Sequence, residues 1–250
     1  MQLMPVLKKV NGDFFKKWTP EMAYVLGFFA ADGYITINKR GGQFWCIQIT
    51  DKKLLEKIRK AIKSNHKIGI RYPRKVTEKE SYRLQIGSKE MCGDLKKLGF
   101  NKRKTLNISI PNMPNKLYPF FVRGYFDGDG NVWVGEIHKD RKKKSVTIRT
   151  IFTSCSIGFL EKLKSKLEEF GITKGVIGKQ NNNYHRLTYS VQGSLKLYNF
   201  MYNHDVIETL FLGRKKRVFD KYINCARSST VEYSPVTGEV VGSAPIGRAD

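Results

Sequence analysis

The sequence predicts an α+β protein made of two pseudo-symmetric copies of one α-β-β-α-β-β-α unit. Three observations predict it. An apolar segment ending in Asp-Gly occurs twice, two β-prone runs follow each copy, and an amphipathic helix follows each of those pairs. The first copy is Thr19-Pro-Glu-Met-Ala-Tyr-Val-Leu-Gly-Phe-Phe-Ala-Ala-Asp32-Gly33 and the second is Tyr118-Pro-Phe-Phe-Val-Arg-Gly-Tyr-Phe-Asp-Gly-Asp129-Gly130. Asp129 follows Asp32 by 97 residues, and the same offset matches Gly124 to Gly27 and Gly128 to Ala31.

Each element has a local reason. Thr19 suits an N-cap and Pro20 the first helical position. Gly33 and Gly130 suit the left-handed residue that ends a helix. Alternating β-branched and aromatic residues predict strands over 34–38 and 44–50, then 68–72 with 82–86. The second copy repeats them over 132–137 and 146–153, then 175–179 with 186–192. Helices are expected over 52–62 and 158–170, where Leu55-Glu-Lys-Ile lines up with Leu160-Glu-Lys-Leu. Shorter ones follow over 89–98 and 194–202. Basic clusters close the copies, at Asn101-Lys-Arg-Lys104 and Gly213-Arg-Lys215-Lys-Arg. The plan is an outer arm over 1–18, a first repeat over 19–113 and a second over 114–227. Residues 228–250, rich in Ser, Gly, Pro and Val, are expected to form a flexible tail.

Composition bounds the function. The 250 residues hold 46 Lys and Arg against 22 Asp and Glu, a net charge of +24, and 40% are hydrophobic. That apolar share supports a packed core and excludes a fully disordered basic chain. Such an excess of charge works against compactness until a polyanion neutralises it, which points to nucleic acid. A membrane surface is the rival, but no basic amphipathic helix with a wide apolar face is visible, and no run is long enough to span a bilayer. Cys46, Cys92, Cys155 and Cys225 form no CxxC pair, which suggests free thiols and an intracellular setting, an organelle or a prokaryotic cytoplasm. The four histidines are scattered, so a His-clustered metal nuclease is not indicated.

The duplicated helices carry the chemistry. Ala23, Gly27 and Ala31 fall at i, i+4 and i+8, and Gly124 and Gly128 repeat the spacing. Such a stripe lets two backbones approach closely, so the two helices are expected to pair as the joint between the halves. Asp32 and Asp129 then meet at the negative ends of both helices, where each is unfavourable by about 0.3–1 kcal/mol. A cation resolves the conflict. A divalent ion with oxygen ligands, Mg²⁺ first, is the natural candidate. Under a basic surface, such a site suits phosphodiester hydrolysis.

The segments Val25 to Gly33, V-L-G-F-F-A-A-D-G, and Val122 to Gly130, V-R-G-Y-F-D-G-D-G, resemble the motifs of LAGLIDADG homing endonucleases, in the single-chain, two-repeat form. The third, eighth and ninth motif positions match in both, over a resemblance covering roughly residues 15–225. The resemblance implies two saddle-shaped antiparallel sheets lying along the major groove of double-stranded DNA. It implies an intron-encoded, monomeric enzyme with no obligate protein partner. It also implies Mg²⁺-dependent double-strand cleavage at a long asymmetric site, leaving short 3′ overhangs. Mn²⁺ or Ca²⁺ could occupy the same site. Asp32 and Asp129 would hold the metal. Lys104 and Lys215 match the lysine that family members place near the scissile phosphates, with Lys102 and Lys216 close enough to be the true ones. Asp51 and Ser156 align with a residue that reaches the cleavage site. The sixth position departs from a symmetric pattern, with Ala30 in the first motif and Asp127 in the second. A non-cleaving binding protein on this fold, an RNA-splicing maturase or a regulator, is the alternative. Retention of both eighth-position carboxylates favours cleavage.

Strand alternation sorts the candidate DNA contacts. Ile35, Ile37, Ile47, Ile49, Tyr82, Leu84 and Ile86 are expected inward. Asn38, Gln48, Arg71, Arg83 and Gln85 then form one outward set. Arg149, Lys179, Arg186 and Gln192 form the other. These residue types read base edges in the major groove. The lysine-rich turns at 72–75 and 140–144 are expected to touch phosphates. Trp18, Trp45 and Trp133 are expected as packing residues, and His204 as a helix-end residue.

Overall fold

The computed structural model describes residues 8–73, 75–101, 108–137, 145–181, 184–204 and 210–228. The first repeat runs α1 (Pro20–Asp32), β1 (Gly33–Ile37), β2 (Gln43–Ile49), α2 (Lys52–Ala61), β3 (Gly69–Arg71), β4 (Ser81–Gly87) and α3 (Lys89–Lys97). A 3-10 turn, Asn115–Leu117, leads to α4 (Tyr118–Asp129), β5 (Gly130–Ile137), β6 (Ser145–Ser154), α5 (Ile157–Glu169), β7 (Val176–Asn181), β8 (Tyr184–Tyr189), α6 (Val191–Tyr202) and α7 (Gly213–Ser228). Each repeat forms a four-stranded antiparallel sheet, ordered β1-β2-β4-β3 in one and β5-β6-β8-β7 in the other. This is the α+β, two-repeat architecture the sequence predicts. One helix is added. The second basic cluster opens α7 instead of closing the unit. Of the expected tail, Ser228 ends α7 and 229–250 lie outside the described residues.

Helix α1 starts as its sequence dictates. The Thr19 hydroxyl accepts from the Met22 N–H at 3.1 Å, and Pro20 stands at the first helical position. All residues from Met22 to Ala30 are buried, because α4 covers one side and the core of the first repeat the other. The ends of α1 and α4 differ from expectation. Gly33 (φ −85°, ψ 160°) and Gly130 (φ −90°, ψ 160°) are extended, not left-handed. Each helix runs straight into its strand. Glycine is needed there for space, since a methyl would sit 2.0 Å from the Phe29 ring at Gly33 and 2.2 Å from the Phe126 ring at Gly130. The consequence is functional geometry: Asp32 and Asp129 stand where the helix pair meets the two sheets.

Partners across antiparallel strands share a face. On the covered face, Ile35, Trp45, Ile47, Leu84 and Ile86 join Leu54, Leu55 and Ile58 of α2 and Met91 and Leu95 of α3 in the core. Ile37 departs from the expected pattern and is 39% exposed, because it ends β1 at the hairpin, opposite Gln43. The arm also departs. Its turn at Phe14 and Phe15 is buried, with Phe15 edge-on to Trp45 at 5.5 Å, so this part belongs to the core and not to the outside.

Candidate functional site

The helix pair is as close as backbones allow. A methyl at Gly27 would lie 2.0 Å from the Phe121 carbonyl oxygen, and one at Gly124 would lie 2.1 Å from the Tyr24 carbonyl oxygen. At the working end, a methyl at Gly128 would meet the Ala31 Cβ at 2.3 Å and Asp32 Oδ2 at 3.3 Å. The Asp32 carboxylate therefore lies against the last turn of the partner helix. Each acidic residue also opens onto its own cavity. One, of about 230 Å³, is lined by Asp32, Gln48, Asp51, Asp127, Gly128 and Arg214. The other, of about 240 Å³, is lined by Asp129, Ala30, Ala31, Tyr125, Ser154 and Tyr184. One cavity lies beside the first sheet and the other beside the second, while both acids act electrostatically on the same Lys215 ammonium. The first also takes Asp127 and Gly128 from α4, and the second takes Ala30 and Ala31 from α1.

The aligned residues Asp51 and Ser156 cap the helices that follow β2 and β6. Asp51 accepts from the Leu54 N–H at 2.9 Å and Ser156 from the Phe159 N–H at 3.4 Å. Asp51 also lines the Asp32 cavity; Ser156 does not line the other.

Lys215 is placed unlike a surface lysine. Its side chain is buried, and its Nζ donates to the carbonyls of Phe126 (2.7 Å), Asp127 (2.8 Å), Gly128 (3.2 Å) and Gly130 (2.6 Å). Three ammonium protons are shared among four acceptors. Part of the cation demanded at this helix end is therefore the chain's own, set against the negative pole of α4. Burial pushes Lys215 down to about 8, opposed by the attraction of Asp127. Lys216 instead binds Asp220 at 3.0 Å along α7, so Lys215 is the lysine at the helix end. Lys104 and Lys102 lie outside the described residues.

Asp127, the departing sixth-position acid, turns out to be a lock between the halves. Its Oδ2 accepts from the Tyr24 hydroxyl at 2.8 Å and from the Leu212 N–H at 2.8 Å. Burial pushes it up to about 6, against the pull of those two donors and of Lys215 and Arg123. A carboxyl raised in the folded state contributes stability that is full below its unfolded value and fades as pH rises through the folded one. The contribution of Asp127 to stability is therefore expected to fall from pH 4 toward pH 6. Asp127→Asn is expected to flatten that slope in urea unfolding followed across the same range. An unchanged slope would remove Asp127 as its source.

The outward residues divide by register. In the first sheet, Gln48 pairs with Arg83, Cys46 with Gln85 and Arg71 with Ser81, so Gln48, Arg71, Arg83 and Gln85 share the open face. Asn38 follows β1, and its Oδ1 is taken up by the turn, accepting from the N–H of Arg40 (3.0 Å) and Gly42 (2.8 Å). In the second sheet, Arg149 and Arg186 share the open face. Two placements fail. Lys179 pairs with His185 and so takes the parity of Ile177 and Leu187, ahead of the irregularity between Lys179 and Asn181. Gln192 lies in the first turn of α6, since the strand ends at Tyr189 and Ser190 is the N-cap of the helix. Trp133 is another departure. It is 42% exposed on the open face, although Trp45 is fully buried as expected. Its position between Val132 and Val134, both of covered-face parity, was the sequence signal. His204 does end a helix, with Nε2 2.8 Å from the Phe200 carbonyl oxygen. The 140–144 turn lies outside the described residues.

These features define a class: two α+β repeats joined by paired helices that each end in an acid, with an open sheet face on either side. The chain belongs to the LAGLIDADG family, since the model of the LAGLIDADG-like domain matches residues 19–97 and again 120–204. Among curated proteins it is 26% identical over 122 residues to the uncharacterised protein MJ0398 of Methanocaldococcus jannaschii, a match spanning 48% of this chain and 42% of that protein. Among solved structures it resembles the LAGLIDADG meganuclease I-AabMI at 17% identity, covering 85% of this chain and 93% of that one, with a TM-score of 0.56. It also resembles the homing endonuclease I-SmaMI at 16% identity, covering 84% and 89%, with a TM-score of 0.57. Among the described residues, no helix is long and apolar enough to cross a membrane.

Proposed function

We propose that this chain is a single-chain, sequence-specific DNA endonuclease that makes a divalent-metal-dependent double-strand break at a long asymmetric site. One observation carries the reading: Asp32 and Asp129, at the ends of two helices in backbone contact, each line a separate cavity at the junction with a sheet. Asp32 in one cavity and its repeat counterpart Asp129 in the other suit two strands. The similar I-AabMI and I-SmaMI are described bound to uncleaved and to cleaved DNA, which supports the same partner here.

The donor set suits a hard cation. The acidic groups lining the cavities are carboxylates, and among the described residues no three His, Cys, Asp or Glu cluster into a ready metal cage. Mg²⁺ is held by one or two carboxylates and completed by water and phosphate, which matches that set. Asp32 and Asp129 would hold it. I-SmaMI is described with calcium ions, in keeping with Ca²⁺ or Mn²⁺ taking the same place. When bound, the ion supplies Lewis acidity to the phosphodiester and lowers the pKa of water. The chain does the rest. The open-face residues Gln48, Arg71, Arg83, Gln85, Arg149 and Arg186 fix the duplex in register, and the helix pair holds the two acids at a set separation. Lys215 is a positioning residue that braces the last turn of α4 behind Asp129.

The test is cleavage of a plasmid library in Mg²⁺ by the full chain, with sequencing of the linear products. A single recurrent site is the expected result; no linear product at any metal concentration would sink the reading. Binding should also be steeply salt-dependent. With +24 charge on the chain, affinity is expected to drop on the order of a thousandfold between about 50 and 200 mM salt. A flat profile in anisotropy titrations would count against phosphate-driven binding.

A further inference from the structure

The open face of the second sheet carries a built tryptophan-arginine unit that the first sheet lacks at the matching positions. Trp133 and Arg149 are direct cross-strand partners, and the Arg149 guanidinium carbon lies 5.9 Å from the indole centroid. The indole lies down along its own strand over Gly135, where a methyl would come within 2.2 Å of the Trp133 Cζ2. Gly135 thus makes room for the ring, and the ring makes a surface for the guanidinium. The first sheet has Thr36 opposite Phe44 at the matching positions, three residues in from the Gly33–Ile47 pair as Trp133 and Arg149 are from Gly130–Phe152. There the face has neither indole nor cation.

An exposed Trp on a basic face needs a reason, since 42% of its surface remains open. A guanidinium held against an aromatic face loses rotamer freedom before it binds anything. A pre-set arginine fork matches the O6 and N7 acceptors of guanine. We infer that Trp133, Gly135 and Arg149 act as one unit that reads a single guanine in the half-site under the second repeat. Arg149 makes the base contact and Trp133 is its positioning residue. The inference rests on the reading of the open faces as DNA-contacting surfaces. It adds that the two half-sites are read by different chemistry, the first without a tryptophan platform at the matching positions.

The test selects bound duplexes from a randomised library with the full chain in Ca²⁺, then measures affinities for single-position variants of the selected site. Arg149→Ala should lose on the order of tenfold or more of guanine preference at one position. Trp133→Ala should lose roughly fivefold at that same position, with the other positions unmoved. Trp133→Phe should restore most of it, and Gly135→Ala, which lifts the ring, should behave as Trp133→Ala. Replacing that guanine by 7-deazaguanine should weaken the native chain but not Arg149→Ala. The inference is overturned if Trp133→Ala weakens every sequence equally, or if Arg149→Ala and Trp133→Ala affect different positions. It is also overturned if Trp133 instead makes the chain sensitive to thymine-to-uracil exchange, which would assign the indole to a methyl group. If no duplex is enriched at all, the DNA reading falls together with it; enrichment without the shared position removes the platform alone.

Discussion

Asp32→Asn and Asp129→Asn are each expected to abolish double-strand cleavage while leaving DNA binding intact. The substitution keeps size and shape and removes the negative charge, so the helix ends lose a repulsion with the negative pole of the helix, set against a lost attraction for the Lys215 ammonium. A metal site of this kind supplies several kcal/mol of transition-state stabilisation. At about 1.4 kcal/mol per tenfold, the expected loss of linear product is on the order of a thousandfold or more. Affinity should not fall, because no positive charge facing the phosphates has been removed. The two readouts together separate a site defect from a folding defect. Linear product at the native rate from either variant would refute the assignment of the two carboxylates, and loss of binding would show that they serve the fold instead. Because the cavities are distinct, one lined by Asp32 and the other by Asp129, the single variants also report on independence. Nicked circles from both would mean that each cavity serves one strand.

Most of the architecture was legible because the repeat is written twice. A lone Asp-Gly helix end says little, yet Asp32 and Asp129, with matched glycines at 27 and 124, demand one common explanation, and the backbone contact at those glycines supplies it. The strand pairs were legible through alternation, which put Leu84 and Ile86 in the core and Arg83 and Gln85 outside. What escaped lies where local pattern is overridden by partners distant in sequence. Gly33 and Gly130 look like left-handed caps, and only the packing of Phe29 and Phe126 back over them reveals a steric role. Lys215 looks like one base among several, and only the fold carries it beneath carbonyls more than 80 positions earlier. Asp127 reads as a motif irregularity until Tyr24 and Leu212 converge on it. Lys179 and Gln192 were misplaced for a local reason. Lys179 keeps the covered-face parity of Ile177, which an outward assignment ignores, and the strand stops at Tyr189 before it reaches Gln192.

Gly27→Ala and Gly124→Ala are expected to be the most damaging single methyl additions in the chain. Helix propensity alone gives the opposite sign, since alanine in a helix interior is favoured over glycine by about 1 kcal/mol. Packing decides otherwise. The added Cβ would sit 2.0 Å from the Phe121 oxygen in one case and 2.1 Å from the Tyr24 oxygen in the other, and both obstacles are backbone, which cannot swing away as a side chain can. The helices must part, and the aromatic residues wedged on either side of them lose contact along the whole seam. A net loss of about 3 kcal/mol or more is expected, at the upper end for overpacked cores. Gly93 in α3 and Gly158 in α5 provide the internal control, because a methyl at either meets nothing within 4 Å. Gly93→Ala and Gly158→Ala should therefore be neutral or stabilising by up to about 1 kcal/mol. Urea midpoints for the four variants decide the matter. If Gly27→Ala unfolds at the same urea concentration as Gly93→Ala, the two helices are not in backbone contact in solution. The separation of Asp32 and Asp129 would then not be set by this seam, and the geometry assigned to the two cavities would have to come from elsewhere.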